Sequence, residues 1–438
     1  MERMTHYGPH TVAHDSPCDL VVIGAGASGL ACAISCAQEL ERAGVRDGVR
    51  IVVLESASKP GRSILASGNG RCNFSNSRID VDRYRGSSFV SAASESLGET
   101  PASSTLSWLA DLGLLWREAP AGSGMLFPAT NQASTVLEVL LLACDRLGID
   151  VACEYRAERL FAEGRGYRVE GSRAVEVGRR VVGKKFKKVK RDLEWRPFSF
   201  SSSGVVLAVG GGPSDGLTLD CACSAPQGIL GPLAASGPGI PSLDGVRIQA
   251  RLSLPDRGFS EVGEVLFRSY GLSGIVAFNA SRFAAEGCAL ELDALYDLDE
   301  QALCERLGKR IAAYPLATLR ECLVGLVLPE VAAAACEAAG LSLDARVDEV
   351  TARRAACALK RIPFTVHRAA SDRPCQVSRG GLSLEGFDPS SMESVAHPGL
   401  YALGEALDVD GPCGGYNLDW AWKSGILAGI HAGRNLAC

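Results

Sequence analysis

The chain has 438 residues, 47% of them apolar and 22% charged, with a formal net charge of −5. That length exceeds one simple core and calls for two or three domains, while the composition is that of an ordinary folded protein. The negative balance excludes a global attraction to nucleic acid or anionic membrane, and no apolar run approaches the roughly 20 residues that span a bilayer.

Met1 to Pro17 is polar, carries His6, His10 and His14, and lacks an apolar h-region. Residues 1–17 therefore read as a flexible extension and not as a signal peptide. The three histidines have no acidic company, so no metal site is expected. Next comes a continuous apolar run, Cys18 to Ile23, then Gly24-Ala-Gly26-Ala27-Ser28-Gly29 and a helical pattern. Gly24 permits the tight turn, Gly26 admits a pyrophosphate, and Gly29 lets helix and strand pack closely. Ala27 and Ser28 open the helix, whose N-terminus favours negative charge. A second strand, Val49 to Glu55, ends in an acid placed for ribose hydroxyls.

Lys59 to Asn76 has no periodicity and reads as a loop. It holds Arg62, Ser67, Gly68, Asn69, Gly70, Arg71, Cys72 and Asn73, a polar and small-residue cluster. Residues 95–145 alternate helical stretches with a Gly/Pro loop, Ala119 to Thr130. Residues 150–207 look like a β-meander enclosing a basic run, Arg179 to Arg191. The run reads as a solvated hairpin in preference to an RNA patch. Residues 213–372 read as an insertion: Gly245 to Leu254 alternates as a half-exposed strand, Ala294 to Leu341 is mostly helical, and Ile362 to Val366 is a last barrel strand. Gly210–Gly216 lacks a following acid, so no second Rossmann fingerprint is present.

The closing segment, Gly399 to Gly425, reads as strand, loop and helix. The strand ends at Gly404-Glu405, and Gly414-Gly415-Tyr416-Asn417-Leu418 leads into a tryptophan-rich helix with Asn417 as its expected N-cap. A distant stretch closing over the first βαβ unit is how FAD folds hold the flavin end. Arg62 or Arg71 would pair with phosphate, and Asn69 and Asn73 would meet the flavin rim. The helix N-terminus would face N1 and the C2 carbonyl of the flavin, where charge develops on reduction. Either Trp420 or Trp422 would stack near the flavin while the other packs in the core. The sixteen cysteines form no CxxC pair; only Cys221 and Cys223 are close neighbours. They read as reduced side chains in a cytoplasmic protein. His367 and His397 read as solitary and structural.

Gly24–Gly29, Gly61–Asn76 and Gly399–Gly425 resemble the BaiN-like (YhiN-like, aminoacetone-oxidase-like) family of FAD-dependent oxidoreductases. Phe127–Ser134, Gly263-Glu264, Tyr270–Gly274 and Gln376–Glu385 follow in the same order. The resemblance implies an α/β fold: a discontinuous Rossmann-like FAD-binding domain, 18–212 and 373–438, with an inserted β-barrel-like and small helical domain, 213–372. It implies bound FAD and oxidoreductase chemistry. Departures are the shortened Gly210–Gly216 stretch and Arg268-Ser269 where the family has Thr-His. The expected cofactor residues are Gly24, Gly26, Ala27, Ser28, Gly29, Glu55, Arg62, Ser67 to Asn73, Gly404, Glu405 and Gly414 to Leu418. Tyr270, Ser273 and Tyr416 are candidates on the substrate side; Cys72 is a candidate redox thiol, against which a small loop-packing side chain is the favoured reading. The expected activity is hydride transfer through flavin N5 to a small or steroid-like C=C or C=O substrate, with NADH or NADPH as donor. An amine or aminoketone oxidase using oxygen, and an RNA-associated flavoprotein, are the alternatives; no nucleic-acid or membrane partner is expected.

Overall fold

The computed structural model describes residues 17–98, 101–119, 122–182, 188–211, 215–368 and 375–438. The N-terminal extension up to residue 16 and Lys184 to Lys187 of the basic run lie outside the described residues. Two compact units are present, one of residues 1–227 and 378–438 and one of Gly228–Val377. The bounds between the units fall at Gln227/Gly228 and Val377/Ser378, against seams expected at 212/213 and 372/373; the described segment from Asp215 to Gln227 lies with the first unit. Leu217 is buried in its core, and a Cβ on Gly216 would lie 2.1 Å from the Glu158 carbonyl oxygen.

The first unit is built on a seven-stranded sheet. Asp150–Cys153, Ile51–Glu55, Cys18–Ile23 and the C-terminal end of Lys188–Leu207 run parallel, with Ile23 opposite Leu207. Leu400–Ala402 joins the same end of Lys188–Leu207 in parallel, Tyr401 opposite Val206. These strands are apolar because both faces are covered. Asp150–Cys153 is thus a parallel edge strand and no part of the expected meander. The rest of Lys188–Leu207 pairs antiparallel with Gly166–Val182, which pairs with Tyr155–Glu163. In this hairpin Arg179 pairs with Glu176, Arg180 with Asp192, and Arg191 with Glu154.

The helix Ala27–Arg42 covers one face, and the closing helix Tyr416–Ala437 lies on it. Gly425, Gly429 and Gly433 make that contact. A Cβ on each would fall 2.4, 2.4 and 2.9 Å from the carbonyl oxygens of Ser28, Cys32 and Cys36. Contacts advancing by four residues on both helices mean that the two run parallel, their N-termini at the same end. The closing helix begins nine residues before Gly425 and the first helix only one before Ser28. It therefore projects about eight residues, or about 12 Å, further at that end.

The second unit is a closed antiparallel barrel of Leu233–Ser236, Gly271–Ser273, Phe259–Arg268, Arg247–Leu254, Ala289–Asp293 and Ile362–Arg368. Arg247–Leu254 alternates as expected, with Ala250, Leu252 and Leu254 inward. Four helices follow the fifth strand. Asp299 caps Glu300–Ala313, accepting from the Ala302 N–H at 2.6 Å, and Thr318 with Glu321 forms a capping box on Leu319–Leu323.

Candidate functional site

The glycine turn is shaped by close backbone approaches. Gly24 has φ of 113°, and a Cβ there would lie 2.2 Å from the Ala208 carbonyl oxygen. A Cβ on Gly29 would lie 1.9 Å from the Gly24 oxygen. Gly26 differs: its backbone is extended, and a Cβ would meet only Ser63 Oγ, at 3.4 Å. It opens the helix Ala27–Arg42, whose first turn has neither a side-chain cap nor an acid. The Ala27, Ser28 and Gly29 N–H groups are the first-turn donors with no intrahelical acceptor. Glu55 ends its strand as expected, and its carboxylate accepts from the Ala25 N–H at 3.1 Å and the Ala57 N–H at 2.7 Å.

The following loop holds a short helix, Arg62–Ala66, and a turn, Ser67–Gly70, in which Gly68 and Asn69 are left-handed. Ser67 donates to the Ile64 carbonyl at 2.7 Å. Arg62 and Arg71 are both exposed; Arg71 lies over the Phe127 ring at 4.9 Å. Cys72 is fully covered, and burial pushes its thiol up to about 11. A sealed, protonated thiol fits packing and not redox chemistry. Asn73 Oδ1 is buried without a hydrogen-bond partner. Asn76, which the sequence reading passed over, donates to the Gly414 carbonyl at 2.8 Å and so latches this loop to the closing one.

In the closing segment Gly404 has φ of 56°; its N–H donates to Ser424 Oγ at 3.0 Å and its carbonyl accepts from Trp420 Nε1 at 3.1 Å. Glu405 accepts from the Gly211 and Ser378 N–H groups, each at 3.4 Å, and burial pushes its carboxyl up. Asp408 takes both arms of Arg85 at 3.0 Å and the Gly380 N–H at 3.0 Å; Asp410, fully buried, pairs with Arg379 at 3.0 Å. A Cβ on Gly415 would lie 2.3 Å from the Ser75 carbonyl oxygen, so the closing loop presses on the segment that follows Asn73.

Three expectations are corrected here. The N-cap is Gly415, and Asn417 instead folds back, accepting from the Gly411 N–H at 2.8 Å and donating to its carbonyl at 2.9 Å. Trp420 and Trp422 are both fully buried, with Trp422 Nε1 donating to the Phe74 carbonyl at 3.0 Å, so neither offers a stacking face. His397 is not solitary, because the Asp220 carboxylate lies against its Nε2.

Leu418 packs partly buried against the core. The Tyr416 hydroxyl lies inside, accepting from the Asp80 N–H at 3.3 Å and reaching the Arg78 carbonyl at 3.4 Å. Tyr270 and Ser273 lie in the barrel unit, flanking and ending the strand Gly271–Ser273. The neighbouring Arg268-Ser269 turn is held by Asp244, which accepts from the Ser269 N–H at 3.0 Å.

The donor set fits FAD. An open site over Gly26, free first-turn N–H groups, a carboxylate at the second strand's end and the unpartnered Asn73 oxygen offer what its phosphates, ribose and flavin rim require. Fold and site together define a FAD-dependent oxidoreductase with an inserted barrel. The chain belongs to the HI0933-like family, whose description, HI0933-like protein Rossmann domain, matches residues 18–431. It is similar to a 3-dehydro-bile acid delta(4,6)-reductase of Clostridium scindens, 29% identical over 93% of this chain and 97% of that protein. It is also similar to ribosomal RNA dihydrouridine synthases of Haemophilus influenzae, 25% identical over 94% and 98% of the two chains, and of Escherichia coli, 24% identical over 93% and 96%.

Proposed function

We propose that this protein reduces a carbon–carbon double bond conjugated to a carbonyl, in a small steroid-like substrate, with NADH or NADPH as donor. The observation that carries the reading is the staggered pair of parallel helix N-termini. One opens at the Gly26 turn, where the pyrophosphate would sit, and the other projects about 12 Å further. Bound FAD would supply hydride chemistry at N5. The first-turn N–H groups at Tyr416 to Leu418, with the helix dipole, would favour the negative charge that develops on the reduced ring. Asn73 would orient the rim, and the Arg85–Asp408 and Arg379–Asp410 pairs would hold the closing loop rigid around it.

The activities for which the relatives are named support the bond type, because a 4,6-diene beside a 3-oxo group and the uracil C5=C6 bond are both conjugated to a carbonyl. The bile-acid relative has the higher identity, which supports a steroid-like substrate. An RNA substrate has less support, because the arginines of the basic hairpin named above are committed to neighbouring acids. Sixteen free cysteines support a cytoplasmic setting; no helix among the described residues is long and apolar enough to cross a membrane.

The test is anaerobic. NADH or NADPH should bleach the bound flavin, and a 4-en-3-one or 4,6-dien-3-one steroid should restore its colour with loss of the enone absorbance. Bleached flavin that no enone reoxidises, with peroxide released from an amine in air, would replace this reading by the oxidase one.

A further inference from the structure

A second cluster of chemically active side chains lies away from the flavin crevice. Asp220 and Cys221 sit between the turn Asp215–Leu217 and the strand Cys223–Ile229, and His397 precedes the strand Leu400–Ala402. One carboxylate oxygen, the Cys221 sulfur and one imidazole nitrogen all lie within 4.8 Å of one another. Leu400 opens a parallel strand whose far end, Ala402, leads into the Gly404 turn. His397 is therefore at the N-terminal edge of the sheet, whereas dinucleotides bind beyond the C-terminal edge.

We propose that Asp220, Cys221 and His397, with Cys223 as fourth ligand, form a zinc-binding site that ties the segment leaving the first unit to the loop before its last strand. Thiolate, imidazole and carboxylate together are the donor set that suits Zn²⁺, and four protein ligands make a structural site. Cys223 follows Cys221 by two residues as the chain enters an extended strand, and in extended backbone such residues share a face. Cys223 is exposed and stands outside the group of three, so its side chain would turn in to complete the set.

The backbone around the ligands is already held. The Cys221 N–H donates to the Thr218 carbonyl at 3.0 Å, and the Ala222 carbonyl accepts from the Ser383 N–H at 2.8 Å. The His397 N–H donates to Ser394 Oγ at 3.2 Å. Tyr167 donates to the Pro398 carbonyl at 2.7 Å, and Gly399 N–H to Glu393 at 2.7 Å. Ligands on two anchored segments lose little freedom on metal binding. The cluster also begins four residues past Gly216, where the chain departs from the family it resembles.

The test uses the flavin-loaded full chain, stripped of metal by a chelator and titrated with Co²⁺. One equivalent should bind with a thiolate-to-cobalt charge-transfer band and tetrahedral d–d bands, and Zn²⁺ should displace it. Cys221→Ser and His397→Gln should each weaken Co²⁺ binding by more than about tenfold, with flavin content unchanged. Zn²⁺ should raise the thermal midpoint of the parent and not that of the Cys221→Ser/His397→Gln double variant. Absence of the charge-transfer band at excess Co²⁺, or its persistence in the double variant, would overturn the site. A Cys223→Ser variant that binds Co²⁺ with the parent's spectrum and affinity would overturn the four-ligand assignment.

Discussion

Gly26→Ala separates cofactor binding from folding. Its backbone, φ −84° and ψ −166°, is open to any residue, and the new methyl meets only Ser63 Oγ, at 3.4 Å. The apoprotein should therefore melt within a degree or so of its parent. The methyl would, however, stand over the helix N-terminus where the pyrophosphate approaches. Displacing the phosphates from two charge-assisted N–H bonds costs about 3–6 kcal/mol, at about 1.5–3 kcal/mol each. That weakens FAD binding by at least about a hundredfold. The assay pairs FAD titration of the deflavinated variant by fluorescence quenching with its melting curve. Gly24→Ala and Gly29→Ala provide the contrast. Their methyls would fall 2.2 and 1.9 Å from backbone oxygens, so those variants should fail to fold. If Gly26→Ala takes up FAD with the parent's affinity, the pyrophosphate does not sit over this turn and the reasoning fails.

Gly429→Ala should destabilise the first unit by about 1–2 kcal/mol, the clash of overpacking against backbone exceeding the helix-propensity gain of about 1 kcal/mol; a variant as stable as the parent in urea denaturation would deny the tight helix contact. Asp419 and Lys423 form a fully buried pair at 3.4 Å, with Ser75 donating to the carboxylate at 2.7 Å. Burial pushes the Asp419 carboxyl up and the Lys423 amine down. Lys423→Met should cost about 3–5 kcal/mol, and adding Asp419→Leu should recover part of it; equal stability of Lys423→Met and parent would mean the pair is neutral. Burial raises the Asp408 carboxyl, but the Arg85 and Gly380 hydrogen bonds and the charges of Arg85 and Arg379 outweigh it and hold it below its ordinary value of 3.8. A depressed acid stabilises the fold above its unfolded value, and that contribution is lost as pH falls through the lower folded value. Arg85 is half exposed, so Arg85→Ala should cost under about 1 kcal/mol at pH 7. The gap should shrink below pH 3.8, and a gap independent of pH would deny its charge origin.

Local signals were the legible ones. The Gly24–Gly29 turn, the acid at Glu55 and the closing Gly404–Tyr416 loop each carry their meaning in neighbouring residues. The barrel strands announced themselves by alternation, as at Arg247–Leu254. What escaped depends on partners far along the chain. Gly425, Gly429 and Gly433 are visibly spaced by four, yet nothing local says which helix they press on. Asp419 and Lys423 look like an ordinary exposed i,i+4 pair, and only the packed structure shows both sealed from water. Asn417 was misread because an asparagine beside a helix start suggests a cap, whereas its amide serves Gly411. His397 and Asp220 lie 177 positions apart, so no spacing rule joins them.

The arrangement of the first unit has a consequence for how the chain emerges from the ribosome. The barrel unit is contiguous, Gly228–Val377, and has all its strands before Leu400–Ala402 is made. The Rossmann unit must wait for Leu400–Ala402 and Tyr416–Ala437. Until then the end of Lys188–Leu207 has an unpaired edge, and the small-residue face of Ala27–Arg42 is bare. Such long-range closure is slow and exposes aggregation-prone surface. The order of maturation is therefore inverted: the first unit to begin synthesis is the last to finish folding, and a nascent chain stalled before Gly399 would hold a finished barrel beside an unfinished cofactor domain.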